Sequence, residues 1–132
     1  MAGPSDLRLL LDTAVFIFAV ESPQRLSSRA AAVLKNPGNV RELSSVSLTE
    51  IAIKATLGKL RISAEDARQA IQDMDIHILP FTADHAFRLF KLPACHRDPF
   101  DRQIIAQALW EDIPVVTSDD KFRLYDGLNL VW

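Results

Sequence analysis

The chain has 132 residues, with 15 Lys and Arg against 17 Asp and Glu, for a formal net charge of −2. Its 48% hydrophobic and 24% charged residues exclude a disordered chain, and its length fits one domain spanning residues 1–132. The single cysteine, Cys95, excludes an internal disulfide and a thiolate zinc cluster, and the mildly acidic total argues, at first reading, against a nucleic-acid partner.

Met1 to Asp6 carries no basic stretch leading into an apolar run and a small-residue cleavage site. The most apolar segment, Leu9 to Val20, is twelve residues long and includes Asp12 and Thr13, too short to span a bilayer. A soluble, cytoplasmic protein with no membrane partner is expected. Leu7 to Leu11 reads as a buried strand ending at Asp12. A helix follows over Thr13 to Val20 and is interrupted at Ser22-Pro23. Gln24 to Lys35 has high helix propensity, and Asn36-Pro37-Gly38-Asn39 signals a loop. Val40 to Val46 is a second strand. Ser47 to Leu57 reads as a helix with Ser47 as N-cap, Glu50 three residues later and Gly58 after the last turn.

Ser63 to Met74 is a further capped helix, Ile76 to Phe81 a third strand, and Thr82 opens a helix through Lys91. Asp98-Pro99 opens another through Trp110, since proline suits the first helical position. Ile113 to Thr117 is a fourth strand, Asp119 to Tyr125 a short helix and Leu128 to Val131 a last strand. This alternation predicts an α/β fold with a central, mainly parallel sheet of about five strands flanked by helices on both faces.

In such a sheet the carboxyl ends of the strands share one edge, where ligands bind. Asp12 ends the first strand, Glu50 lies near the start of the helix after the second, Asp98 and Asp101 open the helix before the fourth, and Asp119 follows the fourth. Each also has a structural use. Glu50 completes a capping box with Ser47, Asp98 caps before Pro99, Asp101 suits the helix dipole, and Asp119 caps the segment after it. Asp12 is the hardest to assign this way, because a buried unpaired carboxylate is costly.

Together the acids suggest more than caps. Carboxylates about 4 Å apart repel by roughly 4 kcal/mol per pair at an effective dielectric near 20, so a cluster calls for a cation. Oxygen-only ligation suits Mg²⁺ or Mn²⁺. The matching chemistry is hydrolysis of a phosphodiester by a metal-activated water, which needs no Ser or His nucleophile.

Four stretches resemble the PIN-domain ribonucleases, and within them the VapC-type toxins of toxin–antitoxin pairs. They are Leu9-Leu10-Leu11-Asp12-Thr13, Ser47-Leu48-Thr49-Glu50-Ile51-Ala52-Ile53-Lys54 with Leu57-Gly58-Lys59-Leu60, His96-Arg97-Asp98-Pro99-Phe100-Asp101-Arg102, and Val116-Thr117-Ser118-Asp119. The third is the most distinctive. The likeness runs through almost the whole chain, departing at Thr49, where close relatives often carry a bulky aromatic.

The resemblance implies a PIN-like three-layer fold and an Mg²⁺- or Mn²⁺-dependent endoribonuclease acting on RNA. A cognate VapB-type antitoxin and a homodimer go with it. Asp12, Glu50, Asp101 and Asp119 fall on the family's acidic positions, which bind metal and carry catalysis. Asp98 lies in the same motif, as a further metal ligand or a helix cap. Thr13 and Thr117 match positions whose hydroxyls support the acids. The alternative is a non-catalytic PIN-like RNA-binding or scaffold protein. A dehalogenase-type phosphatase wants a second aspartate where Ala14 stands.

Arg97, Arg102 and Lys54 are candidate contacts to the RNA backbone, and the two arginines are expected to pair with the motif's own acids as well. His85 and His96 read as surface or packing residues, His77 as structural and Cys95 as an inert thiol. Phe16, Phe18 and Trp110 read as core. Assigning Asp12, Glu50, Asp98, Asp101 and Asp119 to one pocket leaves 12 acids against 15 cations elsewhere, so the net charge does not exclude RNA.

Overall fold

Leu9, Leu10 and Leu11 are wholly buried in β1 (Arg8–Leu11), as befits the middle strand of a parallel sheet covered on both faces. The computed structural model describes residues 7–132; Met1 to Asp6, where no targeting signal was read, lie outside the described residues. The sheet also holds β2 (Val40–Ser44), β3 (Ile76–Leu79), β4 (Val115–Val116) and β5 (Leu130–Val131). Its order is β3-β2-β1-β4-β5, with every pairing parallel. The expected five strands are all present, each shorter than its apolar run.

Leu9 and Leu11 face one core, with Val15, Phe16, Leu43, Ile51 and Val116. Leu10 faces the other, with Leu79, Ile104, Ile105, Val115 and Phe122. This alternation makes three layers. The first core draws on α1 (Thr13–Glu21), α2 (Ser28–Lys35), α3 (Ser45–Thr56) and α4 (Ala64–Asp73); the second rests mainly on α5 (Ala83–Leu89) and α6 (Pro99–Glu111). No helix among the described residues is long and apolar enough to cross a membrane.

Local chemistry explains most boundaries. Ser63 and Asp66 form a reciprocal capping box at α4, and Thr82 and His85 form another at α5. Gly58 follows α3 with φ 75°, a left-handed conformation that favours glycine. The α2 reading is shortened, because Pro23–Arg25 forms a separate 3-10 turn and Ser27 caps α2. The segment after β4 is a 3-10 turn, Asp120–Leu124, rather than a regular helix.

Three expectations are corrected. The cap of α3 is Ser44, whose side chain accepts the Val46 amide, so Ser47 lies inside the helix and no capping box with Glu50 forms. Trp110 is 52% exposed rather than core. Phe18 is only partly buried, with the Arg25 guanidinium 4.1 Å from its ring centroid.

Candidate metal centre

The sheet order places the carboxyl ends of β1 and β4 side by side. The chain leaves β1 toward β2 and later returns to its other flank through β4, so their shared edge is a topological switch point. Asp12 starts α1 there but makes no capping bond. Its Oδ2 instead accepts the Thr117 hydroxyl at 2.8 Å. The same Oγ1 accepts the Asp119 amide at 3.0 Å, so one hydroxyl orients Asp12 and shapes the turn that presents Asp119.

Glu50, on α3, is 5% exposed. Its Oε2 accepts Lys54 Nζ at 2.6 Å, one turn along the helix, while Oε1 is buried with no partner among the described residues. Asp98 caps α6, its Oδ1 accepting the amides of Phe100 and Asp101 at 2.9 and 3.1 Å. That cap fixes the first turn of α6, from which Asp101 projects. Asp119 Oδ1 accepts the Lys121 amide at 3.0 Å and caps the following 3-10 turn.

The acids feel one another. Burial pushes the Asp12 carboxyl up to about 6; the Thr117 bond opposes this, and the charges of Asp119 and Glu50 add to it. Asp101 is pushed up to about 7 by burial first, then by the charges of Asp12, Asp98, Glu50 and Asp119. Lys54 is raised by its bond to Glu50, and the charges of Asp98 and Asp101 contribute. All five sequence-predicted acids therefore share one electrostatic environment.

They do not form a closed cage. Among the described residues no three Asp, Glu, His or Cys side chains stand close enough to grip an ion together. The donor set nevertheless fits Mg²⁺ or Mn²⁺. It is all oxygen, it includes the orphaned Glu50 Oε1, and it has a surplus of negative charge that costs energy without a cation. Mg²⁺ keeps several waters and is held by one or two carboxylates plus substrate phosphate, so it needs no complete protein cage.

The remaining predicted residues divide. Thr117 bonds an acid, whereas Thr13 Oγ1 lies 2.8 Å from Ser47 Oγ, a buried pair joining α1 to α3. Arg102 does not pair with the acids: its Nη1 donates to Pro93 O at 2.7 Å and to Tyr125 Oη at 3.0 Å, and its Nη2 to Leu92 O at 3.3 Å. Arg97 is exposed, with no ion pair among the described residues. Lys54 is half-buried on Glu50.

His96 is the residue that the sequence undervalued. Its side chain is only 8% exposed, with Nε2 3.4 Å from Asp101 Oδ2. Its Nδ1 lies 2.6 Å from Tyr125 Oη. Its place five positions before Asp101 was a signal, but Tyr125 is 29 positions away. His85 is a packing residue as expected, 1% exposed, with Nε2 3.0 Å from Glu111 Oε2. His77 lies on β3.

The fold and edge chemistry define an α/β protein with an acidic site at a parallel-sheet switch point. The chain belongs to the PIN domain family, which it matches over residues 9–128. A comparison with curated proteins finds no match. Solved structures do match. VapBC2 from Rickettsia felis, bound to a DNA fragment from its promoter, aligns with TM-score 0.70 and 20% identity over 94% of this chain and 97% of that one. DNA-bound VapBC from Salmonella typhimurium gives 0.68 and 17% over 94% and 96%. VapBC-5 from Mycobacterium tuberculosis gives 0.58 and 22% over 93% and 96%. At these identities the likeness establishes a shared fold.

Proposed function

We propose that this PIN-domain protein is an Mg²⁺- or Mn²⁺-dependent endoribonuclease and the VapC-type toxin of a toxin–antitoxin pair. The observation that carries this reading is the geometry at the β1–β4 edge, where the Thr117 hydroxyl bonds both Asp12 and the Asp119 amide and the buried Glu50 Oε1 has no partner among the described residues. Similarity to VapBC structures supports a VapB-type antitoxin as partner. A homodimer and a cytoplasmic location belong to the same proposal.

Asp12, Asp101, Asp119 and Glu50 would hold the ion, with Asp98 positioning Asp101 through the helix cap. When bound, the ion supplies Lewis acidity and charge neutralisation at the phosphodiester. Thr117 orients Asp12 toward the site, and His96 stands behind Asp101. Arg97 is the candidate for steering the RNA backbone, and Lys54 would join it only by releasing Glu50. Arg102, committed to loop carbonyls, acts on the motif's shape.

The looseness of the acids favours a second reading, a non-catalytic PIN-like RNA-binding or scaffold protein. Cleavage of RNA with Mg²⁺ or Mn²⁺, with and without chelator, separates the two. Wild type is expected to cut only with the ion, and Asp12→Ala and Asp101→Ala to lose most activity. Equal activity in all three proteins would refute the catalytic reading. Absence of cleavage by wild type with retained RNA binding would favour the alternative.

A further inference from the structure

Adjoining the acidic edge, and sharing Thr117 and Asp119 with it, lies a small cavity of about 140 Å³. It begins at the turn that presents Asp119 and runs toward β5, lined by Arg29, Ser118, Asp119, Arg123, Leu130 and Trp132. We propose that this cavity binds one nucleotide of a single-stranded RNA next to the cleaved phosphodiester, with Trp132 against the base and Arg29 and Arg123 on the backbone. The inference rests on the RNA-cleaving reading above and names a subsite for it.

The chemistry of the walls points to a nucleotide. Arg29 of α2 and Arg123 of the 3-10 turn bring two guanidinium groups to one cavity, the forked donors best suited to phosphate. Trp132 is half-buried, packed on the first core, and lines the cavity with an aromatic surface for a base. Base stacking on aromatic side chains is how proteins usually hold unpaired RNA.

Size narrows the ligand further. A cavity of about 150 Å³ takes up a benzene ring, so this one is of a size to admit a single aromatic base. Its wall is the Thr117–Asp119 turn itself. A strand laid across the acids therefore meets the cavity without a break.

Of the other cations near the acids, Arg97 is exposed and makes no ion pair among the described residues, whereas two are engaged. Lys54 is spent on Glu50 and Arg102 on loop carbonyls. Arg29 makes no ion pair among the described residues. Arg123 pairs only with exposed Asp120, at 3.3 Å, a contact of the kind that yields readily to a phosphate. Both arginines are exposed, so their loss leaves the core untouched.

The test uses full-length protein with Asp12→Asn, which prevents cutting, and a labelled single-stranded RNA in Mg²⁺. Binding is followed by anisotropy across a salt series. Each phosphate contact on a single strand contributes a slope of about −0.7 in log affinity against log salt, so Arg29→Ala with Arg123→Ala is expected to flatten it by about 1.4. Arg29→Lys should retain most of the slope, because the charge remains. Trp132→Ala should weaken binding at least about fivefold, as loss of one stacked base does. With Trp110→Phe removing the other tryptophan, RNA should quench the remaining Trp132 fluorescence. Unchanged slope and unquenched Trp132, while wild type still cleaves RNA, would overturn the subsite and leave the nuclease reading standing. Wild type that neither binds nor cleaves RNA would overturn both.

Discussion

Thr117→Val keeps the shape of its side chain but removes the hydroxyl that reaches Asp12 Oδ2 at 2.8 Å. A hydrogen bond to a charged group is worth about 1.5–3 kcal/mol, and each pKa unit corresponds to about 1.4 kcal/mol. The Asp12 carboxyl, already at about 6, should therefore climb by about one unit or more. At pH 7 its ionised fraction would fall from about nine-tenths to about half or less. Protons compete with cations for the same oxygens, so the pH dependence of Mn²⁺ affinity reads this shift directly.

Calorimetric titration between pH 5.5 and 9 should give a curve for Thr117→Val displaced upward by about one unit. Affinities should converge at the alkaline end. The variant also strands the Asp119 amide, so a melting curve at each pH must show that it is folded. Superimposable pH curves for the two folded proteins would refute the role assigned to Thr117.

Asp12 and Asp101 both stand above the ordinary carboxylate value of 3.8, so folding favours their protonated forms. Their stabilising contribution is present below pH about 4 and is lost as pH rises through about 6 and 7. The melting temperature of metal-free wild type, relative to Asp12→Asn with Asp101→Asn, should fall between pH 5 and 8. Mg²⁺ should restore it more at pH 8; a flat difference would contradict the coupling. Asp98→Ala should lose about 1 kcal/mol through the missing cap, whereas Asp98→Ser should recover that stability. If Asp98→Ser also cleaves RNA at the wild-type rate, Asp98 is a cap and not a ligand. Lys54→Met frees Glu50 Oε2, and Mn²⁺ affinity should rise about twofold, as expected for a weak i,i+4 pair; weaker binding would show that Lys54 organises the site.

Much of the fold was legible because its punctuation is local. Ser63, Thr82, Asp98-Pro99 and Gly58 mark helix ends through bonds made within a few residues. The α3 cap is not legible locally, because Ser44, Ser45 and Ser47 offer the same chemistry. Only the long-range fold, which sends Ser47 to Thr13, decides among them. The acids were legible as a set because a parallel sheet brings strand ends to one edge. The partners of Arg102 and His96 were not, since loop carbonyls and Tyr125 meet them only after the chain has closed. The exposure of Trp110 is not legible either, because apolar character alone does not say which side of α6 faces outward.

The bond between the Thr117 hydroxyl and the Asp12 carboxylate joins positions 105 residues apart, beside the backbone bond from the Asp12 amide to Val116 O of β4. During synthesis the amino-terminal acid emerges long before its organising hydroxyl has been made. Contacts of such separation form late, because the intervening loop must close first. On the proposed function, a growing chain is harmless to the message that encodes it. The ribosome must have read as far as Thr117 before its product is able to cut any RNA.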